Sequence, residues 1–125
     1  MRLFIAILSI FSISALASSC YYDKEDLLYG SGGNCDSTAA TYSGTVAPIM
    51  NSYCATGGCH NASSAAAGVV LDNYNGVKAI ASNGKLIGTV NWASGFSPMP
   101  KGGSKLPNCN ITKLQQWINA GAPNN

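Results

Sequence analysis

Histidine is almost missing from this chain: among its 125 residues there is one, His60. A blue-copper centre, which takes two histidines with a cysteine and a weak methionine, is excluded on that count. Arginine occurs only at Arg2, and Asp72 is the one carboxylate after Asp36. Basic charge is thin as well. Lys78, Lys85, Lys101, Lys105 and Lys113 are scattered rather than clustered, so they form no stripe for nucleic acid. No apolar run reaches the roughly 20 residues of a comfortable membrane span, and there are no internal repeats. One domain at most fits this length.

The lone histidine stands in Cys54-Ala55-Thr56-Gly57-Gly58-Cys59-His60. Two thiols followed at once by a histidine look like a c-type haem attachment site, in which the thiols add across the haem vinyl groups and the histidine ligates iron on the proximal face. The usual spacing is CxxCH, whereas this one is CxxxxCH. Gly57 and Gly58 are expected to supply the tight bends and positive φ that the longer loop needs. Two other readings compete. A Cys54–Cys59 disulfide is geometrically feasible and common in small exported proteins. Zinc fits less well, because Cys59 and His60 are sequence neighbours whose side chains diverge.

The N-terminus reads as an export signal: Met1-Arg2, then apolar residues from Leu3 to about Ile13, then small residues. Ala15-Leu16-Ala17 fits a soluble secretory cut, while Ala17-Ser18-Ser19-Cys20 resembles a lipobox whose cysteine becomes the lipidated first residue. Cysteine arithmetic favours the second. If Cys54 and Cys59 hold haem, three cysteines remain in an oxidising compartment; lipidation of Cys20 leaves Cys35 and Cys109 to pair. The expected organisation is a signal peptide over 1–19, a lipidated tether over 20–40 and a monohaem domain over 41–125.

Within that domain, Thr45 is expected to cap a helix bearing Val46, Ile49, Met50 and Tyr53 at i, i+3, i+4, i+7 spacing, with Pro48 in its first turn. A second short helix is expected from about Asn73 to Ser82, ended by Asn83-Gly84. Lys85 to Pro107 reads as a long loop holding at most a short strand or turn. Asn110 should cap a last helix whose apolar face is Ile111, Leu114, Trp117 and Ile118, stopped by Ala120-Gly121-Ala122-Pro123. The fold class is therefore all-α, with short helices and long loops packed around one haem.

A second axial ligand must come from methionine, lysine or water, since histidine is exhausted. Met50 lies on the apolar helix stripe and reads as core. Met99 stands between prolines in Ser97-Pro98-Met99-Pro100, with no obvious packing role, and reads as the distal ligand. Trp92 and Tyr74 are candidate donors to the haem propionates, Lys85 a candidate ion-pair partner for one; the alternative for the two aromatics is lining the pocket or the core.

Val46-Ala47-Pro48-Ile49, Leu71-Asp72-x-Tyr74, Pro98-Met99-Pro100 and Trp117-Ile118-x-Ala120-Gly121-Ala122-Pro123 resemble the small class I cytochrome c-like domains of bacterial lipoproteins. The likeness runs from about Cys35 to the C-terminus. It implies thioethers at Cys54 and Cys59, proximal His60, distal Met99 and one-electron transfer. The proline-containing loop that often accepts the proximal Nδ1–H is missing here, because residues 61–70 contain no proline. Which carbonyl orients His60 stays open.

The expected function is thus that of a membrane-anchored electron carrier in the cell envelope, facing the periplasm or the surface. Its partners are a redox protein donor and an acceptor, acidic if the lysines form a docking rim rather than a solvated face. A haem peroxidase or ligand-binding haem protein is the enzymatic alternative, but it would need an open distal site with proton-transfer groups. A haem-free, disulfide-stapled lipoprotein is the third.

Overall fold

Thr41 starts the first helix by turning its side chain onto the chain that follows: Oγ1 accepts from Gly44 N–H at 3.1 Å. The cap is thus Thr41, not Thr45, and the helix begins earlier than its hydrophobic pattern suggests. Its opening turn, Tyr42–Val46, is π-helical, with the Thr45 and Val46 N–H groups both donating to the Thr41 carbonyl at 3.1 Å. The widened turn precedes Pro48, whose ring would press on the carbonyl four residues back. Helix α1, Ala47–Tyr53, continues from it. Val46, Ile49 and Met50 are buried, while Tyr53 at the end of the stripe is exposed. Met50 is fully enclosed, as a core residue at helical spacing would be.

The computed structural model describes Cys35 and residues 39–125. The signal peptide, most of the tether and Cys20 lie outside the described residues.

Helix α2, Tyr74–Ser82, is capped by Asn73, whose Oδ1 accepts from Gly76 N–H at 3.0 Å. It buries Val77 and Ala81. Gly84, at φ 76°, then reverses the chain into α3, Lys85–Val90. This helix corrects the expectation of a continuous loop from Lys85 to Pro107. Two glycines in and beside six residues conceal it in the sequence; burial of Leu86 and Val90 on the core supplies what propensity lacks.

The last helix, α4, runs from Asn108 to Asn119 and starts two residues before Asn110. Pro107 sets the entry angle (φ −52°, ψ 139°) and its carbonyl accepts the first helical bond, from Ile111 N–H at 3.2 Å, without a side-chain cap. Ile111, Leu114 and Trp117 face inward. Helix α4 packs against both the π turn that opens the first helix and α3, and α3 packs against α2. The described residues are helical with no strand, an all-α arrangement. The terminal segments are sewn together by hydrogen bonds from Ser43 N–H to the Asn125 carbonyl at 2.8 Å and from Trp117 Nε1–H to the Pro123 carbonyl at 2.9 Å.

Candidate functional site

Helix α1 ends at Cys54, whose N–H and that of Ala55 both donate to the Met50 carbonyl at 2.8 Å. The chain then makes a closed loop. Cys59 N–H donates to the Thr56 carbonyl at 3.0 Å, and His60 N–H returns to the Cys54 carbonyl at 3.0 Å. Of the two glycines, Gly58 alone takes a positive φ, 79°. Its N–H is held by Ser64 Oγ at 3.1 Å. The longer spacing is therefore absorbed by one left-handed residue and a backbone bond across the loop.

The two thiols are both free and differ in setting. Cys54 is buried against the core; burial, then the neighbouring Cys59, pushes its thiol up to about 11. Cys59 is exposed.

His60 is fixed from the other side. Beyond the left-handed Ala65 and Ala67 the chain doubles back, with Ala66 N–H on the Cys59 carbonyl at 3.0 Å and Leu71 N–H on the His60 carbonyl at 2.6 Å. That return brings the Val69 carbonyl oxygen to 3.2 Å from His60 Nδ1. A carbonyl can only accept, so Nδ1 is the protonated nitrogen of this contact, and Nε2 is the nitrogen that a neutral ring would offer to a metal. Val69 thus fills the role that no proline in residues 61–70 could announce.

The return strand of chain is itself braced. Asp72 Oδ2 accepts from Ala62 N–H at 2.6 Å, and a Cβ at Gly76 would collide with the Val70 carbonyl oxygen. Glycine at that position lets α2 approach the backbone beside Val69.

Met99 lies in a second loop, folded onto the end of α3. Its N–H donates to the Thr89 carbonyl at 3.1 Å and its carbonyl accepts from Trp92 Nε1–H at 2.9 Å. Trp92 and Phe96 are among the few large apolar side chains left exposed. The Phe96 ring stands over Gly88, 2.6 Å from where a Cβ would be. Met99 itself is half-buried. Among the described residues, no hydrogen bond joins this loop to the Cys54–Leu71 loop.

The remaining site residues fall elsewhere. The Tyr74 hydroxyl donates to the Ala122 carbonyl at 2.9 Å, and its ring meets Tyr42 edge-on at 5.1 Å. Its proton is thus directed to the C-terminal seam, as the Trp92 indole proton is directed to Met99. Lys78 donates to the Gly121 and Ala122 carbonyls beyond the end of α4, where the helix dipole is negative. Lys85, Lys101 and Lys105 are exposed, and Lys113 is half-buried. Cys35 is joined to Cys109, in the first turn of α4, with a Cα–Cα distance of 5.4 Å.

Among the described residues, no three histidine, cysteine or carboxylate side chains gather where a bare metal ion could be held. No described helix is long and apolar enough to cross a membrane. Searches against protein-family models, curated proteins and solved structures find no match to this chain.

Proposed function

We propose that this chain is a monohaem c-type cytochrome, a class I-like domain that carries single electrons between redox proteins. The observation that carries the reading is the His60 ring held by the Val69 carbonyl within the loop that bears Cys54 and Cys59. That loop offers a donor set of one imidazole and two unpaired thiols, which suits an iron porphyrin bound through its edge and its centre. The Nδ1–H bond also raises the basicity of Nε2 and fixes the ring's rotation. Packing of the first helix's opening turn against α4 supports the same architecture, in which terminal helices close over the cofactor.

Haem, when bound, supplies the one-electron couple. The chain's own residues set its conditions. Cys54 and Cys59 would tether it, His60 would hold the proximal face, and the Met99 thioether would complete the distal face and favour ferrous iron, raising the potential. Exposed Lys85, Lys101 and Lys105 leave positive charge on the surface that would suit acidic donor and acceptor proteins. With one carboxylate and no arginine after residue 60, a distal face for peroxide chemistry has little to work with. Lipidation of Cys20 would anchor the domain to a membrane of the cell envelope, with residues 20–40 as tether.

The deciding test is covalency. Protein made alongside a haem-maturation system should keep its colour on a denaturing gel and give the haemochrome of saturated vinyl groups; colour that extracts into acidic organic solvent would remove the thioethers. The anchor is tested apart: Cys20→Ser should release the protein from detergent extracts or block its processing, and a free N-terminus at Ser18 would discard it.

A further inference from the structure

Trp92 breaks two rules at once. It is a tryptophan left 45 % exposed, and its backbone sits at φ 59°, a left-handed conformation that is unfavourable for a residue with a Cβ. Strain of this kind persists only where surrounding bonds fix it, and it concentrates at functional positions. Here the fixing bonds are on the page. Trp92 N–H donates to the Thr89 carbonyl at 3.2 Å, the same oxygen that takes Met99 N–H at 3.1 Å, while the Trp92 indole N–H reaches the Met99 carbonyl at 2.9 Å.

Both backbone polar groups of Met99 are therefore gripped by the last turn of α3 and the residue just beyond it. Helix α3 is rigid ground, since Leu86 and Val90 are each 1 % exposed. A normal turn conformation at residue 92 would carry the indole elsewhere and leave the Met99 carbonyl to solvent. The strained backbone serves the bond rather than the core: Trp92 lies outside the buried core at 45 % exposure, unlike Trp117, whose indole N–H bonds Pro123 from a fully enclosed site.

We infer that Trp92 is a positioning residue for Met99. Its indole N–H fixes the methionine backbone and so sets where, and how persistently, the thioether is presented to the iron. The inference rests on the haem reading and adds a determinant of ligand lability to it.

The test compares Trp92→Phe with Trp117→Phe in the haem-loaded protein. Each removes one indole N–H bond, the first at the Met99 loop and the second in the core. Trp92→Phe should keep covalent haem and near-normal resistance to urea. It should weaken the sulfur–iron charge-transfer band of the ferric protein, lower the pH at which that band disappears, and speed carbon monoxide binding to the ferrous protein about fivefold, the factor expected for one lost neutral hydrogen bond. Trp117→Phe should do the reverse, lowering stability and leaving the band's pH dependence unchanged. A Trp92→Phe protein with the wild-type band, pH profile and carbon monoxide rate overturns the role of Trp92 while leaving the haem reading intact. If Trp117→Phe does not fold, Phe96→Leu, which alters the same loop without touching the indole bond, serves as the control; equal changes in both variants would also overturn the assignment. A wild-type protein that lacks the sulfur band overturns the Met99 reading itself, and with it this inference.

Discussion

His60 Nδ1 lies 3.2 Å from the carbonyl oxygen of Val69, across a loop that returns to the Cys59-His60 backbone through two further hydrogen bonds. The ring is thereby oriented by main chain, which no side-chain substitution at Val69 can remove. If the proposed haem reading holds, His60→Ala should leave haem attached through Cys54 and Cys59 but abolish the six-coordinate spectrum. It should also cost about 1 kcal/mol of stability in haem-free protein, because the half-buried Val69 carbonyl loses its donor. Absorption spectra and urea titration check the two effects separately.

The thiols should be distinguishable by chemistry. In folded, haem-free protein Cys59 should be alkylated well before Cys54, which is 8 % exposed; in denaturant the two should react alike. Mass mapping of partially alkylated protein gives the order. Equal rates in the folded protein would place Cys54 outside the core.

Gly76 and Gly88 should respond differently to alanine. At Gly76 the new Cβ meets the Val70 carbonyl, backbone that is locked beside the His60 loop. Gly76→Ala should therefore destabilise by about 3 kcal/mol, the upper end of ordinary overpacking. At Gly88 the obstacle is the ring of Phe96, an exposed side chain that can swing away. Gly88→Ala should cost about 1 kcal/mol or less, since loop strain is offset by better helix propensity. Urea unfolding of the two variants ranks them.

Tyr42 makes stability fall at alkaline pH. Burial, and then the charge of Asp72, raise its hydroxyl above the ordinary value of 10.0. Above pH 10 the unfolded chain has released this proton while the folded chain keeps it, so the folded state binds more protons and loses stability as pH rises. Tyr42→Phe should flatten that part of the profile; haem-free protein followed by circular dichroism measures it.

The Cys35–Cys109 bond closes a loop with a sequence separation of 74 residues. By the chain-entropy relation, its removal in Cys35→Ser/Cys109→Ser protein should cost about 4 kcal/mol. Calorimetry of the two proteins under oxidising conditions checks the figure.

Local chemistry made some features legible in the sequence. Val46, Ile49 and Met50 announce a buried helix face, Ile111, Leu114 and Trp117 another, because a 3.6-residue period needs no knowledge of the partner surface. Asn73 marks the start of α2 because an amide two or three residues ahead of free N–H groups caps them wherever the helix packs. The grouping of Cys54, Cys59 and His60 is likewise covalent adjacency. Tertiary structure alone decided the rest. Helix α3 exists because Leu86 and Val90 find a core that its glycines do not foretell. The acceptor for His60 is a carbonyl, and carbonyls are identical in every residue, so only the path of the chain could select Val69. Trp92 and Tyr74, alike in sequence as aromatic donors, part company for the same reason: the fold delivers one to the carbonyl of Met99 and the other to that of Ala122.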